Sequence, residues 1–108
     1  MPGPDAARAL AALGDPQRRS ILELLADQER SVREIADALP ISRPAVSRHL
    51  RLLKDAGLVA EEPRGTRRIY RLRDEGAAAV RAYLEELWGE AGQRFRLLAE
   101  NTTPEDET

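Results

Sequence analysis

The chain has 108 residues, 42% of them hydrophobic and 33% charged, and no cysteine. That is the size of one small domain with the composition of a globular rather than a disordered chain, and it excludes a disulfide framework or a thiolate metal site. The net charge of −2 argues against a uniformly basic nucleic-acid binder, but the charges are segregated. Residues 42–73 carry nine Lys/Arg against three acids (Asp55, Glu61, Glu62), while the rest of the chain carries eight against sixteen. A basic surface on an acidic body is the distribution that attracts phosphates locally.

In chain order, Met1-Pro2-Gly3-Pro4 reads as a flexible start. It lacks the basic region and apolar stretch of a secretion signal, and no apolar run approaches the roughly 20 residues that span a bilayer, so a cytoplasmic location is expected. Residues 5–13 form an alanine-rich helix stopped by Gly14. Asp15-Pro16 restarts one over about 16–28, since Asp is a favoured N-cap and Pro suits the first helical position. Ile21, Leu22, Leu24 and Leu25 give it an apolar face at helical spacing.

Ser31 with Glu34 three residues on is a capping box, and Val32, Ile35, Ala36 and Leu39 are the inward stripe of a third helix that Pro40 ends. Ser42 caps a fourth helix over 42–57 with Pro44 in its first turn. Gly57 stops this helix, with Leu58 placed against Leu53 as in a Schellman motif. The period then changes to that of strands: 58–62 and 68–72 flank the turn-rich tip Pro63-Arg64-Gly65-Thr66. A long helix runs from Asp74 to Glu100, with Ala77, Val80, Leu84, Leu87, Ala91 and Leu98 in steps of three and four. Residues 101–108 form a polar, acidic, disordered tail. The order α-α-α-α-β-β-α, mainly helical with one β-hairpin, is that of a winged helix-turn-helix domain spanning 5–100.

The fourth helix carries the functional pattern. At about 100° per residue, Val46, Leu50 and Leu53 share one side, and Arg43, Pro44, Ser47, Arg48, Arg51 and Lys54 fall on the other. Arginine pairs bidentately with guanine, serine bonds several bases, and lysine suits phosphate. A helix entering the major groove presents its N-terminal turns first. Ser42, Arg43, Pro44, Ser47 and Arg48 are therefore the candidate base contacts, and Arg51 and Lys54 face the DNA backbone. Arg64, Arg67 and Arg68, on the wing at 63–68, suit phosphates or the minor groove. His49, the single histidine, falls on the core side next to Leu53, where a bond to backbone or packing under the turn is expected of it. Tyr70, alternating with Ile69 on the second wing strand, is a candidate to stack near the DNA backbone.

The stretches Leu13-Gly14-Asp15-Pro16-Gln17-Arg18-Arg19-Ser20-Ile21-Leu22-Glu23-Leu24-Leu25 and Ile41-Ser42-Arg43-Pro44-Ala45-Val46-Ser47-Arg48-His49-Leu50-Arg51-Leu52-Leu53-Lys54-Asp55-Ala56-Gly57-Leu58-Val59 resemble the ArsR/SmtB family of bacterial regulators. The resemblance implies a homodimeric repressor of a palindromic operator, often controlling its own operon, with the first and last helices as the dimer interface. On this chain the interface would include Leu10, Leu13, Val80, Leu84, Leu87, Trp88, Ala91 and Phe95.

The family's metal sites do not carry over. The third helix begins Ser31-Val32-Arg33-Glu34-Ile35, without cysteine, and the family's last-helix metal motif falls on Asp74, Gly76, Leu87 and Glu90, without histidine. Two carboxylates without imidazole make a poor transition-metal site. The chain therefore resembles the non-metal-sensing members, and no cofactor is expected. Whether a small-molecule effector binds, against Trp88 and Phe95 for instance, is left open. No Gly-rich phosphate loop or nucleophile-base set supports an enzyme. The remaining rival is a winged-helix protein-interaction module, which would not need arginines on both helix and wing.

Overall fold

The structure, a computed structural model, describes residues 4–101, with the side chains of all but residues 4, 5, 91, 95, 96, 100 and 101. Its elements are α1 (Pro4–Ala12), α2 (Pro16–Asp27), β1 (Arg30–Ser31), α3 (Val32–Ala38), α4 (Arg43–Asp55), β2 (Val59–Arg64), β3 (Arg67–Leu72) and α5 (Asp74–Asn101). Pro4, expected in the flexible start, is the first residue of α1, where its fixed φ suits a helix and its missing N–H has no intrahelical partner to lose. Asn101, expected in the tail, is the last residue of α5. The rest of the expected tail, 102–108, lies outside the described residues, as do residues 1–3.

The local punctuation follows the sequence. Asp15 Oδ1 accepts the N–H groups of Gln17 (2.7 Å) and Arg18 (3.2 Å) at the start of α2. The Ser31 hydroxyl accepts from Glu34 N–H at 3.2 Å, while Glu34 Oε1 accepts from Ser31 N–H at 2.8 Å, a complete capping box on α3. Helix α4 ends in a full Schellman motif: Leu58 N–H donates to Leu53 C=O (3.0 Å) and Gly57 N–H to Lys54 C=O (2.9 Å). Gly57 takes φ +77°, the left-handed conformation this motif requires at that position.

One element was not expected. The two residues of β1 pair antiparallel with β3 (Arg30↔Tyr70, Ser31↔Ile69), so the sheet has three strands in the order β1-β3-β2. The order is thus α-α-β-α-α-β-β-α, and β3 becomes the central strand, with both Ile69 and Tyr70 buried. The hairpin is also longer than its expected tip. The β2–β3 ladder continues to Arg64↔Arg67, leaving Gly65-Thr66 as a two-residue loop. Gly65 has φ +62° and Thr66 does not share the positive φ, the pattern of a type II′ turn.

Ile21, Ile35, Val46, Leu50, Leu53 and Val59 are the large side chains fully removed from solvent, drawn from α2, α3, α4 and β2. The three helices of the helix-turn-helix thus share one core with the base of the wing. Val80 joins this cluster from α5, and Leu84 packs on its edge. Beyond them α5 leaves the core, and Leu87, Trp88, Leu97 and Leu98 are exposed, Trp88 at 69%.

Candidate nucleic-acid interface

Helix α4 is amphipathic in three dimensions as in sequence. Val46, Leu50 and Leu53 face the core at 0% exposure, while Arg43, Pro44, Ser47, Arg48, Arg51 and Lys54 all face solvent. Leu52 is exposed among them, which the helical pattern did not single out. Ser42 is the N-cap: its hydroxyl oxygen accepts from Ala45 N–H at 3.3 Å, which leaves its own O–H free to donate.

His49 lies on the core side, 5% exposed. Its Nε2 is 2.9 Å from Gln17 Oε1 at the start of α2. An amide oxygen only accepts, so Nε2 carries the hydrogen, and Nδ1 is left buried with no partner among the described residues. The contact ties α4 to α2 through side chains, where a bond to backbone or packing under the turn was expected.

The cations of this surface fall into two groups. Arg43, Arg48 and Arg51, all on α4, make no ion pair among the described residues. The other four candidate contacts are all held by carboxylates. Lys54 Nζ is 3.0 Å from Glu61 Oε1, and Arg68 Nη1 is 3.0 Å from Glu61 Oε2. Arg64 pairs with Glu29 (2.6 Å) and Glu62 (2.7 Å), and Arg67 with Glu34 (3.0 Å). Sequence reasoning counted Glu61 and Glu62 only as a discount on the local positive charge. The period-2 alternation of the strand, which places 61 across from Tyr70 rather than outward, was the signal available.

Tyr70 is resolved by the same group. It is 8% exposed, within the core, and its hydroxyl donates to Glu61 Oε2 at 2.6 Å. It is therefore not a surface ring available to stack beside DNA. The hydrogen bond from Tyr70, then those from Lys54 and Arg68, hold the Glu61 carboxyl down at about 2. Burial first, and then the Glu61 carboxylate, push the Tyr70 phenol up to about 12.

The two groups have opposite signs in linkage. Glu61 stabilises the fold above its ordinary carboxylate range, and that contribution is lost as pH falls through about 2. Tyr70 stabilises it below about 10, with loss as pH rises through about 12. In carbon-detected NMR, the Glu61 carboxyl is expected to titrate near 2 in the native protein and to move upward in Tyr70→Phe. An unchanged midpoint in that variant would exclude the phenol as the main cause.

The dimerisation candidates divide. Val80 is packed into the chain's own core, and Leu10, Leu13 and Leu84 are partly buried against it, whereas Leu87 and Trp88 are exposed. Ala91 and Phe95 lie outside the described side chains. Leu13, Leu22, Leu58, Leu72, Leu84 and Trp88 are among the residues that line an open apolar groove of about 550 Å³ beside α5. At position 76, where the family's metal motif has a ligand, α5 meets the α4–β2 turn. A Cβ on Gly76 would collide with the Gly57 carbonyl and crowd Leu58 Cα, so no side chain fits there. Among the described residues, no group of three His, Cys, Asp or Glu is placed to hold a metal ion, and no helix is long and apolar enough to cross a membrane.

Comparison with known proteins agrees with this geometry. Residues 15–61, from the α2 cap into β2, match the family described as "Bacterial regulatory protein, arsR family". The chain is 51% identical over 84 residues to the HTH-type transcriptional regulator Rv2034 of Mycobacterium tuberculosis, covering 78% of each chain. It is 41% identical over 75 residues to the HTH-type transcriptional repressor SmtB of the same species, covering 69% of this chain and 56% of that one. Among solved structures, an ArsR-like transcriptional regulator from Rhodococcus sp. RHA1 superposes with a TM-score of 0.84 at 29% identity, covering 93% of this chain and 94% of that one. The homodimeric winged helix-turn-helix DNA-binding domain Mb0332 of Mycobacterium bovis does so at 0.65 and 36% identity, covering 80% of each. The chain belongs to the arsR family of bacterial regulatory proteins, and is a DNA-binding transcriptional regulator rather than an enzyme.

Proposed function

We propose that this chain is a homodimeric repressor of a palindromic operator, with α4 in the major groove and the wing over phosphates or the minor groove. The observation that carries the reading is the outer face of α4. Arg43, Ser47 and Arg48 stand exposed on its first two turns, and neither arginine is engaged by a carboxylate among the described residues. Arg51 and Lys54 follow on the next turn, where a helix entering the groove comes over the backbone.

The dimer reading rests on α5. A tryptophan and three leucines exposed on one helix are costly in water, at about 25 cal/mol per Å² of apolar surface. Of these, Trp88 lines the open apolar groove beside α5 together with Leu13 and Leu84. α1, which packs on α5, and α5 itself are the elements a second copy would cover, within one domain over residues 5–100. The M. bovis relative is described as homodimeric, and the M. tuberculosis SmtB as a repressor. A metal switch is not part of the proposal, because position 76 admits no side chain and the expected ligand positions lack cysteine and imidazole. The protein acts in the cytoplasm, where its DNA is.

The test is selection of duplexes from a random pool by the native protein, followed by titration of the selected duplex at two salt concentrations. The expected product is a two-fold symmetric sequence with half-sites about 10 base pairs apart, one helical turn. Sedimentation should show two chains per duplex, and affinity should fall steeply with salt. Failure to enrich any sequence would overturn the reading.

A further inference from the structure

We infer that Glu61 is a specificity-determining residue of the DNA interface, a partly buried carboxylate that fixes the recognition helix and the wing to one another. The inference rests on the DNA-binding reading above and goes beyond it. Glu61 sits on β2 opposite Tyr70. From there it holds Lys54 of α4 at 3.0 Å, Arg68 of β3 at 3.0 Å and the Tyr70 hydroxyl at 2.6 Å. One side chain thus joins the last turn of the groove helix, the wing and the core of the sheet.

Burial decides which of the four carboxylates plays this part. Glu29, Glu34 and Glu62 are 39–50% exposed, and their pairs with Arg64 and Arg67 are of the solvated kind that contributes little. Phosphates can exchange for them, leaving Arg64 and Arg67 free to follow the DNA. Glu61 is only 15% exposed and has three donors, one of them anchored in the core. Its partners stay in place on binding. Lys54 and Arg68 therefore meet phosphates at a fixed separation, set by the protein and not by the DNA.

A permanent negative charge inside the basic surface also lowers attraction to any phosphate chain. Affinity is then recovered only where the duplex fits the fixed separation. Both effects favour the operator over other sequences.

The test compares the native protein with Glu61→Gln, Glu61→Asp and Tyr70→Phe. Each is titrated at two salt concentrations against the duplex the native protein selects and against a shuffled duplex of the same composition. For Glu61→Gln the shuffled duplex is expected to bind several-fold tighter and the selected one no tighter, so their ratio falls by about tenfold. Glu61→Asp keeps the charge but gives up reach; it too should lose the ratio, without tighter binding to shuffled DNA.

Tyr70→Phe keeps the ring packed and removes only the hydroxyl. It should shift the ratio in the same direction, and it carries the test should either Glu61 variant fail to fold. A ratio unchanged in folded variants, with both duplexes moving by one common factor, would overturn the inference and leave the DNA-binding reading standing. If the native protein selects no sequence, both fall together.

Discussion

Gly76→Ala is expected to lower the melting temperature by about 10 °C, although alanine is the better helix former by about 1 kcal/mol. The third residue of α5 lies directly on the turn that ends α4. An added Cβ would meet the Gly57 carbonyl and Leu58 Cα, all backbone atoms that no rotamer can move aside. Forcing extra volume into a packed contact costs about 1–3 kcal/mol or more, which outweighs the propensity gain.

Gly89→Ala supplies the contrast. The same helix offers open space around that position, so the propensity term acts alone and the variant should be slightly more stable than the native chain. Thermal unfolding of the two variants side by side checks the argument. A Gly76→Ala protein as stable as Gly89→Ala would show that α5 does not rest on the α4–β2 turn as described.

The second large effect concerns base preference. Arg43→Ala and Ser47→Ala are expected to broaden the selected sequence, with each lost base contact worth about 1–3 kcal/mol of discrimination. Arg64→Ala should instead weaken all duplexes by a similar factor and reduce the salt slope by about one. The different outcomes follow from geometry: Arg43 and Ser47 stand on the leading turns of α4, and Arg64 on the tip of the wing. Repeating the selection with the double variant checks it. An unchanged consensus would remove α4 from the major groove.

Much of this fold was legible in the residues because its boundaries are written in local chemistry. Asp15-Pro16, Ser31 with Glu34, Ser42-Arg43-Pro44 and Gly57-Leu58 each satisfy the ends of a helix with groups two to five residues away. The outer face of α4 was legible for the same reason, since helical periodicity alone separates Val46, Leu50 and Leu53 from the arginines.

What escaped depends on partners distant in sequence. The two residues of β1 have no strand period to display, and they form a strand only because β3 lies beside them. His49 and Gln17 are 32 positions apart. Glu61 looked like a stray acid in a basic segment until the ladder set it across from Tyr70 and the end of α4 brought Lys54 to it. The burial of Val80 likewise followed from where α5 crosses the core, not from its own stripe.

The short strand β1 has a consequence for how this fold tolerates changes in length. Ser31 pairs with Ile69, caps α3 through its hydroxyl, and donates its N–H to the carboxylate that also holds Arg67. One inserted residue between Gln28 and Ser31 would disturb all three at once. Gly65 and Thr66, at the tip of the neighbouring β2–β3 ladder, stand exposed, with nothing near a Cβ added at Gly65. Insertions and deletions should therefore accumulate at the hairpin tip and be purged from the α2–α3 junction. The reach of the wing can then drift between descendants of this sequence while the reading head behind it keeps its length to the residue.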